Sequence, residues 1–369
     1  MSKGRGGIGF AVKSMAPLTD ARTTIRDRDE CRTMTICRNV MEELVVAEAK
    51  VQMARLEPRI QEQIRLADVA AYALNQLPLF YATNQRGWDK QRQRAQEECG
   101  RQISAVVRQA IVNATNAPLR NPEPLPPHDL VSPEQSLFRI QELCNQKNLY
   151  WRDVPRAVAA AIVDAKQRPL APREEEAEVG TGGRRMAEGI KAYLKRAKHP
   201  VPKAKKEEED RDFAVYMLRA SYGFVNILEF QVLQVAQKQI ARLPLPAAKR
   251  IVLEEVAAYA LNQLPPMYAT SARWAKELKL RVRVELAREV ITKVREGILQ
   301  LSQLPLRHFL PDPFAQFAEE QAEAIAALQK SLNRADLTWY NAPEAIAEVL
   351  QQTREGESKW YRMVQTGEF

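Results

Sequence analysis

Arg94, Arg101 and Arg108 recur at intervals of seven residues, and Arg281, Arg288 and Arg295 repeat that interval later in the chain. Seven residues are close to two helical turns, so each trio forms one guanidinium row along one helix face. A guanidinium is planar and always charged, which suits bidentate contact with phosphate or carboxylate oxygens. Two rows beside a groove between two halves could clamp a dianionic ligand, although pairing with neighbouring Glu side chains on a solvated face explains them equally well. A second candidate is a loop that occurs twice after a Leu-Pro stop. Asn75 and Asn262 stand just ahead of the proline at a helix end, and Tyr81 with Thr83, or Tyr268 with Thr270, follow in a turn. Aromatic rings there could stack on a base while hydroxyls and free amides hold phosphate. Helix capping by Asn and half-buried packing by Tyr account for the same residues. Trp88 and Trp274 read as core anchors at the start of the next helix. Glu42 with Glu43, and Glu97 with Glu98, read as solvated helix faces.

Catalysis is not expected. The sequence has no P-loop, no G-x-S-x-G, no H-E-x-x-H and no Gly-rich dinucleotide fingerprint. Cys31, Cys37, Cys99 and Cys144 form no C-x-x-C pair, and the only histidines are His128, His199 and His308. Neither a disulfide framework nor a metal site follows from them, and no cofactor is predicted. Lys+Arg 55 against Asp+Glu 46 leaves a formal +9, so nucleic-acid binding through a basic surface stays open without being favoured. No apolar run approaches the roughly 18 residues of a membrane span, and the Gly-rich start lacks a secretory apolar core, so a cytoplasmic protein is expected.

The elements that must hold these residues come as a tandem duplication. Ala70 to Pro78 and Ala257 to Pro265 are identical, and 259 − 72 for the two tyrosines gives a separation of 187 residues. The same separation aligns Asn39-Val-Met-Glu42 with Asn226-Ile-Leu-Glu229, and Tyr81-Ala-Thr83 with Tyr268-Ala-Thr270. Trp88 aligns with Trp274 if one residue is deleted. The tails repeat as well, Trp151-Arg-Asp-Val-Pro155 against Trp339-Tyr-Asn-Ala-Pro343. A period this long marks a duplicated domain rather than a stacked-repeat unit, and two like lobes are expected to pair as an intramolecular pseudo-dimer, with a homodimer also open.

Within one copy the spacing predicts helices over about Thr35 to Leu56, up to Leu77, over Trp88 to Ala114 and over Pro133 to Gln146. A last helix opens at Asp153 with Pro155 in its first turn. Strand signals are absent, and high Ala, Gln, Glu, Arg and Leu content predicts an all-α fold. The domain reading is a disordered 1–32, a helical domain over 33–166, a charged flexible linker over 167–212 with a short helix near Met186 to Ala197, a second helical domain over 213–355, and a tail over 356–369.

Asn39-Val-Met-Glu-Glu-Leu-Val-Val46, Asp68-Val-Ala-Ala-Tyr-Ala-Leu-Asn-Gln-Leu-Pro78 and Tyr81-Ala-Thr-x-x-x-Gly87-Trp88 together resemble the late competence development protein ComFB family in its cyanobacterial form. The likeness covers about Thr35 to Ala114 closely and Tyr222 to Leu301 more loosely. It implies a small all-helical domain that dimerises and binds cyclic di-GMP or cyclic di-AMP without catalysis, in proteins tied to competence, type IV pili and cell size. Carried over, the motif positions are Asn39, Glu42, Asp68, Tyr72, Asn75, Pro78, Tyr81 and Thr83, with Arg108 on the following helix. Asn226, Tyr259, Asn262, Tyr268 and Thr270 are their counterparts. Some family members carry a cysteine cluster between the first helix and the Asp-Val segment. Here Val51 to Ala67 has none, so no zinc is expected. The leading expectation is a cyclic-dinucleotide receptor using these residues and both arginine rows. The alternative is an adaptor that keeps the fold, has lost the ligand, and docks a protein partner in signalling or pilus machinery.

Overall fold

The computed structural model of the chain describes residues 37–116, 123–126, 129–130, 132–167, 203–303 and 313–355. The expected disordered start, the helix near Met186 to Ala197 and the tail over 356–369 lie outside them.

Asn39 shows how the motif builds a lobe. It ends a two-residue strand, β1 (Arg38–Asn39), and caps the first helix, α1 (Val40–Met53). Its side-chain oxygen accepts from the amides of Met41 (3.2 Å) and Phe80 (2.9 Å), so one side chain satisfies a helix start and fixes the returning loop. Pro58, whose φ is pre-set for a first helical position, opens the single turn α2 (Pro58–Gln61). The alanine-rich α3 (Leu66–Leu74) follows, with Val69, Ala70, Ala73 and Leu74 buried. The loop returns as β2 (Tyr81–Ala82), antiparallel to β1 with Asn39 opposite Tyr81. The long α4 (Gln85–Asn116) then closes the lobe against α1 and α3. No strand is predicted from sequence, yet each lobe has one ladder. Two residues are too few to leave an alternating signature.

The first tail is α5 (Pro133–Leu143), a 3-10 turn (Trp151–Asp153) and α6 (Val154–Gln167). Next come α7 (Lys203–Tyr216) and α8 (Leu218–Tyr222), which Gly223 ends at φ 64°, a left-handed conformation that glycine adopts without strain. The second lobe repeats the first: β3 (Val225–Asn226), α9 (Ile227–Ile240), α10 (Leu245–Ala248), α11 (Leu253–Leu261) and β4 (Tyr268–Ala269), with Asn226 opposite Tyr268. Its long helix is interrupted, running as α12 (Ala272–Arg281), a π-helical turn (Val282–Leu286) and α13 (Ala287–Ser302). The second tail is α14 (Ala315–Ser331) and α15 (Ala342–Arg354). The described residues are thus all-α apart from these two short ladders.

Three expectations need correction. The first helix is shorter than predicted, because Asn39 caps it. The last part of the expected flexible linker is helical, since α7 begins at Lys203. Phe213 and Tyr216 hold that charged helix by burying their rings against Tyr150 (3.9 Å between centroids) and Phe317 (4.7 Å) respectively. The third concerns the tryptophans. Trp88 is buried and packs edge-on against Phe314 at 5.6 Å, but Trp274 is 48% exposed. Ala275 is buried in the corresponding place, at the unbroken separation of 187. One residue on a helix is about 100° of rotation, so aligning Trp with Trp sets the second helix one step out of register.

The tails interlock. Helix α15 packs on α5 and α6, and α14 on the 3-10 turn, so the second copy's tail completes the first copy's. Gln141 donates to the Leu149 carbonyl (3.1 Å), and Gln329 does the same to Leu337 (2.8 Å). Trp151, fully buried, donates its indole N–H to the Tyr216 hydroxyl (3.1 Å).

Candidate functional site

The repeated motif meets itself where the lobes touch, and the contacts are reciprocal. Asn75 exchanges two hydrogen bonds with the backbone of Tyr268, accepting from its amide (2.7 Å) and donating to its carbonyl (2.9 Å). Asn262 treats Tyr81 in the same way, at 2.6 and 3.1 Å. Each Asn side chain thereby extends the partner lobe's two-residue ladder. The caps reach across too. Asn39 donates to the Tyr268 hydroxyl (2.9 Å) and Asn226 to the Tyr81 hydroxyl (3.0 Å). Those hydroxyls pass the chain of bonds on, Tyr268 to Glu42 (2.7 Å) and Tyr81 to Glu229.

Arg219, on α8 just before the second lobe, closes the arrangement. Its Nε and Nη2 donate to the two oxygens of Glu42 (2.7 and 2.6 Å), while Nη1 and Nη2 donate to those of Glu229 (2.7 and 2.6 Å). One guanidinium therefore holds a carboxylate from each lobe, both nearly out of water. Burial opposes the charge on Arg219, but Glu229 and Glu42 outweigh it and lift its pKa well above the ordinary value. Burial, reinforced by the facing carboxylates, likewise pushes the Tyr81 and Tyr268 hydroxyls well above the usual tyrosine range. The buried thiol of Cys37 is raised by burial and then by Glu229. Every hydroxyl here stays protonated, and a protonated hydroxyl can donate to a carboxylate while accepting from an amide.

This corrects the reading of Glu42 and Glu43 as solvated. Glu42 is 5% exposed inside the network, and Glu43 is half-buried against Arg92 at 2.8 Å. Sequence reasoning missed Arg219 altogether. Its signal was available, since Arg32 lies at the repeat separation upstream (219 − 187 = 32), although residue 32 is outside the described residues.

The structure thus divides the predicted site residues. Asn39, Asn75, Tyr81, Asn226, Asn262 and Tyr268 come together, bonded to one another across the lobes. Thr270 joins from one side by donating to Asp68 (2.6 Å), whose carboxylate also holds Arg65 (2.7 Å). Thr83 and Tyr259 are half-buried outside the network, Tyr259 with its ring against Gly297, and Tyr72 is exposed. The arginines stand apart from it. All six are exposed on the long helices. Arg94 pairs with Glu98 and Arg281 with Glu285, each one turn away at 2.8 Å. Arg101, Arg108, Arg288 and Arg295 have no ion pair among the described residues. A shallow depression of about 260 Å³ lies between α1 and α4, lined by Leu44, Glu48, Val51, Gln96, Gly100 and Ile103 among others, and none of the six arginines lines it. Among the described residues no group of His, Cys, Asp and Glu is placed to hold a metal ion, and no helix is long and apolar enough to cross a membrane.

Comparison with known proteins accounts for both lobes. The family model of the late competence development protein ComFB matches the chain twice, over residues 38–118 and 225–305, so the chain carries a tandem duplication of that domain. No curated protein matches it.

Proposed function

We propose that the two ComFB domains act as one non-catalytic cytoplasmic receptor for a cyclic dinucleotide, cyclic di-GMP or cyclic di-AMP, working as an intramolecular pseudo-dimer in the control of competence, type IV pili or cell size. The observation that carries this reading is the pair of arginine rows, in which Arg101, Arg108, Arg288 and Arg295 keep exposed guanidiniums with no carboxylate partner among the described residues. A cyclic dinucleotide carries two phosphodiesters related by a twofold axis, and a receptor made of two like lobes offers it two like sets of donors. The reciprocal bonds between Asn75 and Tyr268, and between Asn262 and Tyr81, support a fixed spacing between the two sets.

A second reading has its own observation. The motif residues Asn39, Asn75, Tyr81 and their counterparts spend their polar groups on joining the lobes, which suits an adaptor that has kept the fold without the messenger. Calorimetry on the full chain separates the two. Micromolar or tighter binding of either cyclic dinucleotide, lost in Arg101→Ala/Arg108→Ala or in Arg288→Ala/Arg295→Ala, is expected of the receptor. Flat titrations with both messengers would leave the adaptor.

A further inference from the structure

The two lobes differ on the outer face of their long helices. In the second lobe Leu280, Val284, Ala287 and Ile291 recur at helical spacing, with Leu280 61% and Val284 72% exposed and Ala287 also open to solvent. At the repeat separation the first lobe has Gln93, Glu97, Gly100 and Ser104. Two positions of the neighbouring helix differ in the same sense. Phe230, 44% exposed, stands where the first lobe has Glu43, and half-buried Val235 stands where it has Glu48. In the first lobe Glu43 reaches Arg92 at 2.8 Å and Glu48 accepts from Ser104 at 2.8 Å, so these positions border one another across the two helices. At these positions the second lobe is the more apolar, whereas opposite Leu44, Ala47 and Val51 of the first lobe it carries Gln231, Gln234 and Lys238.

Two more features single out this face. The π-helical turn Val282–Leu286 falls in the middle of the apolar row and carries Val284, where the first lobe's helix is regular. At about 100° per residue, exposed Arg283 falls on one side of the row and exposed Arg288 and Arg295 on the other; none of the three has an ion pair among the described residues. A second copy of this chain docked face to face would set arginines against arginines. The charge instead fits an acidic partner, and an apolar row at helical spacing fits a helix laid alongside.

We infer that this face of the second lobe is a docking surface for a partner protein's amphipathic helix, with apolar residues on its contact side and acidic residues on both flanks. The inference does not rest on messenger binding. The test is a fluorescence-anisotropy titration of the full chain with a labelled helical peptide carrying leucines at that spacing and glutamates on both flanks. Binding is expected to weaken roughly 10-fold or more in Leu280→Gln/Val284→Glu, which installs the first lobe's residues. A version of the peptide with lysine for glutamate should bind at least about 10-fold more weakly than the acidic one. Both substitutions fall on exposed positions, and unchanged helicity by circular dichroism checks that the variant folds. Failure of the intact chain to bind, equal binding by the variant, or equal binding of the acidic and basic peptides overturns the inference. So does a sedimenting dimer that the double substitution dissolves, since the face then belongs to a second copy.

Discussion

Replacing Arg219 by Met is the sharpest test of how the lobes are held. Four hydrogen bonds of 2.6–2.7 Å run from its guanidinium to Glu42 and Glu229, whose side chains are 7% and 13% exposed. Without the cation two carboxylates face each other out of water, and removing one partner of a buried ion pair costs about 3–5 kcal/mol. For a chain of this size that lowers the melting temperature by roughly 5 °C. The cost belongs to the stranded charge rather than to a lost bond, which makes the prediction specific. Glu42→Gln/Glu229→Gln in the Arg219→Met background should recover roughly half of the loss, because a carboxamide still accepts from Tyr268 or Tyr81 and carries no charge. Urea unfolding followed by circular dichroism measures both steps. A loss below about 1 kcal/mol in Arg219→Met, or no recovery in the triple variant, would show that the guanidinium is not what holds the two carboxylates.

Much of this fold is legible in one sequence because its signals are local. The nine-residue identity at Ala70 and Ala257 exposes the duplication, the prolines mark helix starts and stops, and apolar spacing finds each long helix. The joint between the lobes is different. Asn75 and Tyr268 are 193 residues apart, and Asn39 looks like an ordinary helix cap until its amide is seen to bond a tyrosine of the other lobe. A capping residue and a docking residue have the same sequence signature, and only the tertiary arrangement separates the roles. Glu42 misled for a related reason. Carboxylates are usually solvated, and the cation that justifies burying this one lies 177 residues away. The register error at Trp274 was an identity match overriding helical geometry, and the buried places at Ile103 and Val290, or Val107 and Val294, keep the separation of 187 throughout.

Two further outcomes follow from local geometry. A Cβ added at Gly297 would lie 3.0 Å from Tyr259 Cδ1 and 3.4 Å from the Val256 carbonyl, whereas at Gly100 nothing stands within 4 Å. By urea unfolding, Gly297→Ala should therefore cost roughly 1–3 kcal/mol and Gly100→Ala should stabilise by roughly 0.5–1 kcal/mol. The joint should also be sensitive to base. Tyr81 and Tyr268 keep their protons in the native state well above their ordinary value of 10.0, whereas in the unfolded chain they lose them near it. The native state then binds more protons than the unfolded one, so the tyrosines' contribution is complete below pH 10 and falls as pH rises beyond it, by about 1.4 kcal/mol per pH unit for each tyrosine. Cys37, raised in the same direction from 9.0, begins the decline earlier. Tyr81→Phe/Tyr268→Phe keeps the rings, lacks the ionisable hydroxyls, and should flatten that slope by about 3 kcal/mol per pH unit above pH 10 in equilibrium unfolding. An unchanged slope would mean that the two hydroxyls are open to solvent and that the lobes are not joined through them.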